Sequence, residues 1–523
     1  MGDRYYPRCA MATVLRPSER DASSSGAGRR RPPTPLLAVL GLVAVLTTTW
    51  AVIVPPWQTP DEPAHFSYVQ TLGELHRLPG GDGAAVSSAL SRSTDVTDQV
   101  QVVFDNLAKP DWSRVREDDY QAAEPELSKL DGGGVNEASG YPPLYYAAEA
   151  IPYLAAKDAS VFTQLSLVRI TSGLWLLVTV TAAWLLAGEL FDRRRLPQLV
   201  AAATVGLWPM MTFISASTNP DALIIALWTL ALWMGVKVLK RGLTPIRGLV
   251  LGGVVGAALI TKISTFVLVP PVLGVLALGA WRARGRAGAG GTGRALLAAG
   301  LAVAALALPL AVWTVATASS GRAAYSQAGD ISSNAGAGSG FNVRQFASYL
   351  WQFYLPRLGS MTPINHQATV ISGKPAINLW LGTGAGVFGW VNVWFPKGVY
   401  WLVGLFWLAV AALFAAASAR WWRATAGRER IARLAPAAFL AAVAGLTLAA
   451  LHYTDYTFFI AGQGLFMQGR YLLPLGGVVA AVVGWALMAV PARRRGIVAG
   501  AWVGALLVFQ IASLGLVLGR WYA

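Results

Sequence analysis

The sequence predicts an all-α polytopic membrane protein of about eleven transmembrane helices, with two long segments between spans facing the outer side of the membrane. Three observations carry this. Hydrophobic residues make up 55% of the 523 residues and charged residues 13%, against about 25% charged in an average soluble domain. Uncharged runs of span length recur along the chain. The basic residues lie in short clusters between those runs, as the positive-inside rule arranges them.

The net charge of +16 therefore reflects topology, and its dispersal argues against a nucleic-acid partner. The single Cys9 excludes a disulfide framework and a cysteine metal cluster. The 21 Trp and 55 Gly suit membrane interfaces and close helix packing.

Residues 1–35 are polar, Ser-rich and end in Arg29-Arg30-Arg31-Pro32 and three further polar or proline positions, which predicts a disordered cytoplasmic tail. Leu36 to Val54 follows as nineteen residues without a charge. That is long enough to cross the bilayer, and Pro55-Pro56-Trp57 after it offers no small-residue cleavage pattern, so an uncleaved signal anchor is expected. Further uncharged runs lie near 170–188, 198–218, 222–236, 248–260, 265–281, 295–316, 399–418, 435–451, 473–490 and 497–518. Several are short enough to need neighbours or re-entrant geometry.

With the tail inside, the connections holding Arg193-Arg194-Arg195, Lys240-Arg241, Arg282/Arg284/Arg286, Arg420 to Arg433 and Arg493-Arg494-Arg495 all fall inside. Arg169, at the start of the second run, is a lone cation outside. Two long outer segments result, 55–162 and 317–398. The first holds seventeen of the 26 acidic residues. The second includes Phe346 to Leu355, whose pattern predicts an interfacial amphipathic helix. His65, His76, His366 and His452 also map outside, so the protein's chemistry is expected to face away from the cytoplasm, at the plasma membrane.

Five outer-face groups stand out. Thr59-Pro60-Asp61-Glu62 has capping-box spacing with Pro60 at the first helical position, a well-made helix start on structural grounds alone. Functionally, Asp61 and His65 share a helix face, where they can hold a divalent cation or supply a base. Tyr141-Pro142-Pro143-Leu144-Tyr145-Tyr146 reads as an aromatic belt with a proline turn. Thr218-Asn219-Pro220-Asp221 reads as a turn and helix start, or as a second carboxylate beside Asp61. Lys262 either snorkels to the interface or binds phosphate. Arg470, in Gln468-Gly469-Arg470-Tyr471, is a cation at an outer span end with paired planar donors suited to phosphate.

The runs PDEPAHF, YPPLYY, NPDA, TKIS and QGRYLLP together resemble a family of bacterial polytopic membrane proteins of unknown function. That family in turn resembles the GT-C superfamily of integral-membrane glycosyltransferases, such as protein O-mannosyltransferases and lipid A aminoarabinose transferases. The resemblance runs from Leu36 to the last span and implies a GT-C-like transmembrane domain over 36–523. It implies an inverting transfer of a sugar from a polyprenyl-phosphate donor to an envelope glycan, lipid or protein acceptor. Asp61 becomes the catalytic base and Glu62 a supporting or metal-binding residue. Lys262 and Arg470, with Tyr141 and Tyr145, become substrate- or phosphate-binding residues. Several relatives carry a basic residue where this chain has Tyr141. A divalent cation, Mg or Mn, would be held by Asp61, His65 and Asp221. The alternatives are a transporter or flippase of lipid-linked saccharides and an inactive scaffold of envelope assembly. A proton-driven carrier is disfavoured because the uncharged runs hold no carboxylate near the midplane.

Overall fold

The computed structural model describes residues 32–363 and 377–523, apart from 106, 111–113, 285–287, 320–321, 337–339 and 464–466. Most of the predicted tail, and His366, lie outside the described residues. Chain order runs α1 (Thr34–Ile53), α2 (Glu62–Leu75), α3 (Ser88–Val96), α4 (Gln99–Phe104), α5 (Arg114–Ala123), α6 (Leu144–Ala155), α7 (Val161–Leu190), α8 (Arg195–Gly206), α9 (Pro209–Ser215), α10 (Asp221–Arg241) and α11 (Pro245–Leu259). It continues with α12 (Val269–Arg284), α13 (Gly288–Ser319), α14 (Ser326–Ala335), α15 (Val343–Tyr354), α16 (Ile377–Gly386), α17 (Lys397–Ala424), α18 (Gly427–Ile460), α19 (Gly476–Leu487) and α20 (Arg495–Trp521). A two-stranded antiparallel hairpin, Val387–Phe388 with Val393–Trp394, is the sheet among the described residues.

Among the described residues nine helical stretches are long and apolar enough to cross a membrane, ten if α8 and α9 form one bent span. With the shorter α11, these are the eleven runs read from the sequence. The break between α8 and α9 is a 56° bend at Leu207-Trp208, immediately before Pro209, which lacks an N–H and restricts the residue before it. The indole of Trp208 donates to Gly384 O (2.8 Å), so the bend is tied to α16.

The short α11 is stable because it packs very closely on α13. Gly248, Gly252 and Gly256 form a four-residue repeat, and a Cβ on Gly252 would lie 2.0 Å from Ala302 O. Such small-residue stripes let backbones approach where lipid supplies no hydrophobic drive. Polar ties do similar work at the start of the bundle. Trp50 Nε1 of α1 donates to Gln510 Oε1 of α20 (3.1 Å), and Gln510 Nε2 donates to Thr212 Oγ1 of α9 (2.7 Å).

The segment predicted as an interfacial helix is α15. It is amphipathic, and it buries Tyr349 and Phe353 against Trp380 and His452. The last-but-two span outruns its uncharged stretch: α18 continues to Ile460, carrying Asp455 fully buried. Tyr349 O–H (2.6 Å) and Met467 N–H (3.2 Å) donate to that carboxylate, which removes the penalty of an unpaired buried charge.

Orientation is testable directly. In a Cys9→Ser background, Ser332→Cys and Ala122→Cys, both at exposed positions, are expected to react with an impermeant maleimide in sealed cells. Ala426→Cys, also exposed, is expected to stay unlabelled until the membrane is opened. Labelling of Ala426→Cys in sealed cells would reverse the orientation.

Candidate functional site

The site grows from a knot at the end of α1. A helix leaves its last carbonyls without partners, and here Arg169, reaching from α7, meets them. Arg169 Nη1 donates to Ala51 O (3.3 Å) and Val54 O (2.6 Å), and Nη2 donates to Pro55 O (3.0 Å). The same guanidinium grips Glu62 through Nε (2.8 Å) and Nη2 (2.5 Å). Glu62 also accepts from Thr218 N–H (3.2 Å). Both partners are buried. The α1 end, the start of α2, α7 and the turn before α10 are thereby locked together.

This corrects two readings. The capping box does not form: Thr59 Oγ1 is buried without a hydrogen-bond partner, and α2 begins at Glu62 with Asp61 as N-cap residue. The physical reason is that Arg169 takes the carboxylate a capping box would need. The Glu62 carboxylate is thereby engaged by Arg169 instead of being open to a metal ion. Arg169 was visible in the sequence only as a lone cation in an apolar run, which by itself does not say what it grips.

Asp61 is held with φ of 62°, in the left-handed region that Asp and Asn tolerate better than most side chains. Its carboxylate is turned toward the span ends and accepts from Arg470 Nη2 at 3.0 Å. The Asp61 side chain is 43% exposed and that of Arg470 only 9%. Arg470 sits in a 3₁₀ turn, Gly469–Leu475, that leads into α19. Gly469 is required there by close approach, because a Cβ would lie 2.1 Å from Trp380 O and 2.4 Å from Gly384 N. Its own N–H donates to Thr383 Oγ1 (2.6 Å).

A second ion pair lies alongside. Asp221, the first residue of α10, accepts from Lys262 Nζ at 2.5 Å. Tyr471 joins the two pairs, its ring 6.0 Å from Lys262 Nζ and 5.3 Å from the Arg470 guanidinium carbon. Tyr141 closes the other side, with its ring 5.8 Å from Lys262 Nζ and edge-on to His65 at 5.5 Å. Tyr471 was not picked out in the sequence, although it adjoins Arg470. Lys262 is neither snorkelling nor free. Burial opposes its charge most, but Asp221, by charge and hydrogen bond, acts together with Tyr141 and Tyr471 to raise its pKa above the usual lysine range.

His65 hydrogen-bonds through Nδ1 to Tyr146 O–H at 2.9 Å. Burial pushes its pKa down to about 4, against the opposing pull of Asp61, so it is neutral near pH 7. Among the described residues no group of three His, Cys, Asp or Glu side chains can hold a metal ion. Asp61 and Asp221 each engage a cation and His65 engages a tyrosine, so the Asp61–His65–Asp221 set does not fit a divalent cation. Tyr145 is also corrected. It is fully buried, hydrogen-bonded to Ser172 Oγ (3.0 Å), and belongs to the packing of α6 on α7.

The arrangement is thus a half-exposed carboxylate and two cations at adjoining span ends, ringed by tyrosines. Two of Arg470's nitrogens, Nε and Nη1, are buried without a hydrogen-bond partner. A buried, incompletely satisfied guanidinium is poised to take a further anionic acceptor.

Residues 44–480 match the family described as "Predicted membrane protein (DUF2142)". The chain belongs to this family. DUF2142 thus covers the whole candidate site, from Asp61 to Arg470. No curated protein matches the chain. Among solved structures, this DUF2142 chain is similar to ArnT from Cupriavidus metallidurans bound to undecaprenyl phosphate. The identity is 14% over 94% of this chain and 72% of that one, with a TM-score of 0.41. It is also similar to the archaeal oligosaccharyltransferase AglB from Archaeoglobus fulgidus, in complex with an inhibitory peptide and a dolichol-phosphate. There the identity is 12% over 93% of this chain and 56% of that one, with a TM-score of 0.46.

Proposed function

We propose that this protein is an inverting glycosyltransferase. It takes a sugar from a polyprenyl-phosphate donor and passes it to a hydroxyl of an envelope glycan, lipid or protein on the outer face of the plasma membrane. The observation that carries the reading is the pairing of Asp61 with Arg470. A carboxylate open to solvent faces a buried guanidinium that still has two unused nitrogens. The position supports the same substrate class, since a site at span ends meets a lipid-borne phosphate where the lipid lies.

In this reading the donor phosphate binds Arg470, with Lys262 adding charge, and competes with Asp61 for the guanidinium. The acceptor oxygen attacks the anomeric carbon from the face opposite the phosphate. The new carbon–oxygen bond forms as the bond from the anomeric carbon to the phosphate oxygen breaks. Its electron pair leaves with the polyprenyl phosphate, where Arg470 stabilises the growing charge. The acceptor proton passes to Asp61, because an alcohol is a poor nucleophile unless a base takes its proton as attack proceeds.

The test is binding of undecaprenyl phosphate to purified protein. Hydrogen bonds to charged groups are worth about 1.5–3 kcal/mol, so Arg470→Ala is expected to raise Kd roughly ten- to hundredfold. Arg470→Lys is expected to fall between, since lysine keeps the charge and loses the paired geometry. Asp61 is left unpaired in the alanine variant but is exposed enough to be hydrated, so folding is expected to survive. Unchanged affinity in a folded Arg470→Ala protein would remove Arg470 from the donor site.

A further inference from the structure

The opposite end of the bundle holds a cavity of about 1990 Å³. Each of the five basic clusters read from the sequence contributes to its lining: Arg194, Lys240, Arg282 and Arg284, Arg420, and Arg495. Asp192 is the carboxylate among the described lining residues. The cavity is far from the Asp61 site: α10 begins at Asp221 in that site and carries Lys240 in its last turn here. Its 21 residues span about 30 Å at 1.5 Å per residue, roughly the thickness of a bilayer's hydrocarbon core.

The six cations divide by what they already hold. Arg282 donates to Leu239 O (3.1 Å), Arg420 to Ala489 O, and Arg495 to Val490 O (2.9 Å) and Met488 O (3.3 Å). These three cap carbonyls at or near helix ends and fix the frame. Lys240 is paired with Asp192 at 3.2 Å. Arg194 and Arg284 stand exposed at the lining. The rest of the lining is largely apolar and aromatic, including Leu440, Val478, Trp281, Trp421 and Trp485. Small-molecule pockets are about 300–1,000 Å³, so this cavity suits a larger ligand with an anionic head and an apolar body. Basic pockets between membrane helices on the cytoplasmic side take lipid phosphate groups in this way.

We infer that this cavity is a second lipid site, which binds an anionic glycerophospholipid with its phosphate at Arg194 and Arg284 and an acyl chain along the tryptophan-lined wall. The site is independent of the proposed transfer chemistry. It adds a tie between the turn after α7, through Arg194, and the end of α12, through Arg284, to the bonds that already hold this end of the bundle.

Native mass spectrometry of the full chain, purified in neutral detergent and reloaded with phosphatidylglycerol, tests it. The Arg194→Gln/Arg284→Gln protein is expected to lose retained phosphatidylglycerol by roughly tenfold or more, the effect of removing two basic side chains from a lipid headgroup. An Arg423→Gln/Arg493→Gln control removes the same charge from exposed positions outside the lining, and is expected to retain the lipid. Phosphatidylcholine is expected to be retained poorly by all three proteins, and excess inorganic phosphate to leave phosphatidylglycerol in place. Equal loss in the control, unchanged retention in the Arg194/Arg284 variant, equal retention of phosphatidylcholine, or displacement by inorganic phosphate would each overturn the lipid site.

Discussion

Asp61→Asn is expected to leave a folded protein whose sugar-transfer rate falls by about 10²–10⁴-fold, the typical worth of a positioned general base. The substitution separates chemistry from structure unusually well at this position. Asn tolerates the left-handed backbone that Asp61 adopts, with φ of 62°. Its amide oxygen can still accept from Arg470 Nη2, which lies 3.0 Å from the Asp61 carboxylate. The Arg169–Glu62 knot beneath is untouched. Loss of one negative charge at the start of α2 costs about 0.3–1 kcal/mol, and Arg470 loses its nearest counter-charge but keeps the hydrogen bond and the field of Asp221. Transfer from a labelled polyprenyl-phosphate sugar by purified protein, beside a thermal unfolding scan, reads both quantities. Near-normal turnover by a well-folded Asp61→Asn protein would end the case for Asp61 as base, with Asp221 the carboxylate to test next.

Arg169→Met is expected to act the other way, through stability. Removing one partner of a buried ion pair leaves the other charge uncompensated, at about 3–5 kcal/mol. Here Glu62 would be left buried with Thr218 N–H as its remaining donor. The carbonyls of Ala51, Val54 and Pro55 would lose their shared donor as well. A lowered unfolding midpoint is therefore expected. The double variant Arg169→Met/Glu62→Met is expected to recover part of the loss, because replacing both partners with apolar side chains removes the stranded charge. Recovery is incomplete because the carbonyls of Ala51 and Val54 lose the donor that held them, while Pro55 O keeps the Gln58 N–H (3.2 Å). An unchanged midpoint for Arg169→Met would show that the knot does not hold the α1–α2 corner.

The sequence by itself determined that this is a multi-pass helical protein and where its long apolar helices run. Among the described residues the long apolar helices fall on the uncharged runs because a backbone in hydrocarbon must satisfy its own hydrogen bonds, which makes length and apolarity enough to place a helix. It also singled out Asp61, Asp221, Lys262 and Arg470, since charged residues at span ends stand out against so apolar a chain. Which of them meet was decided only by the tertiary structure. Asp61 and Arg470 are separated by 409 positions, and their contact depends on how α2 and the turn before α19 come to rest, which no local spacing encodes. The same holds for the errors. Glu62 has the spacing of a capping box, but a guanidinium from α7 competes for it and wins through two charge-assisted bonds. Tyr145 shares a motif with Tyr141, yet one faces the ion pairs and the other the α7 core, because positions four apart on a chain need not share a face until a helix has begun, and α6 begins only at Leu144.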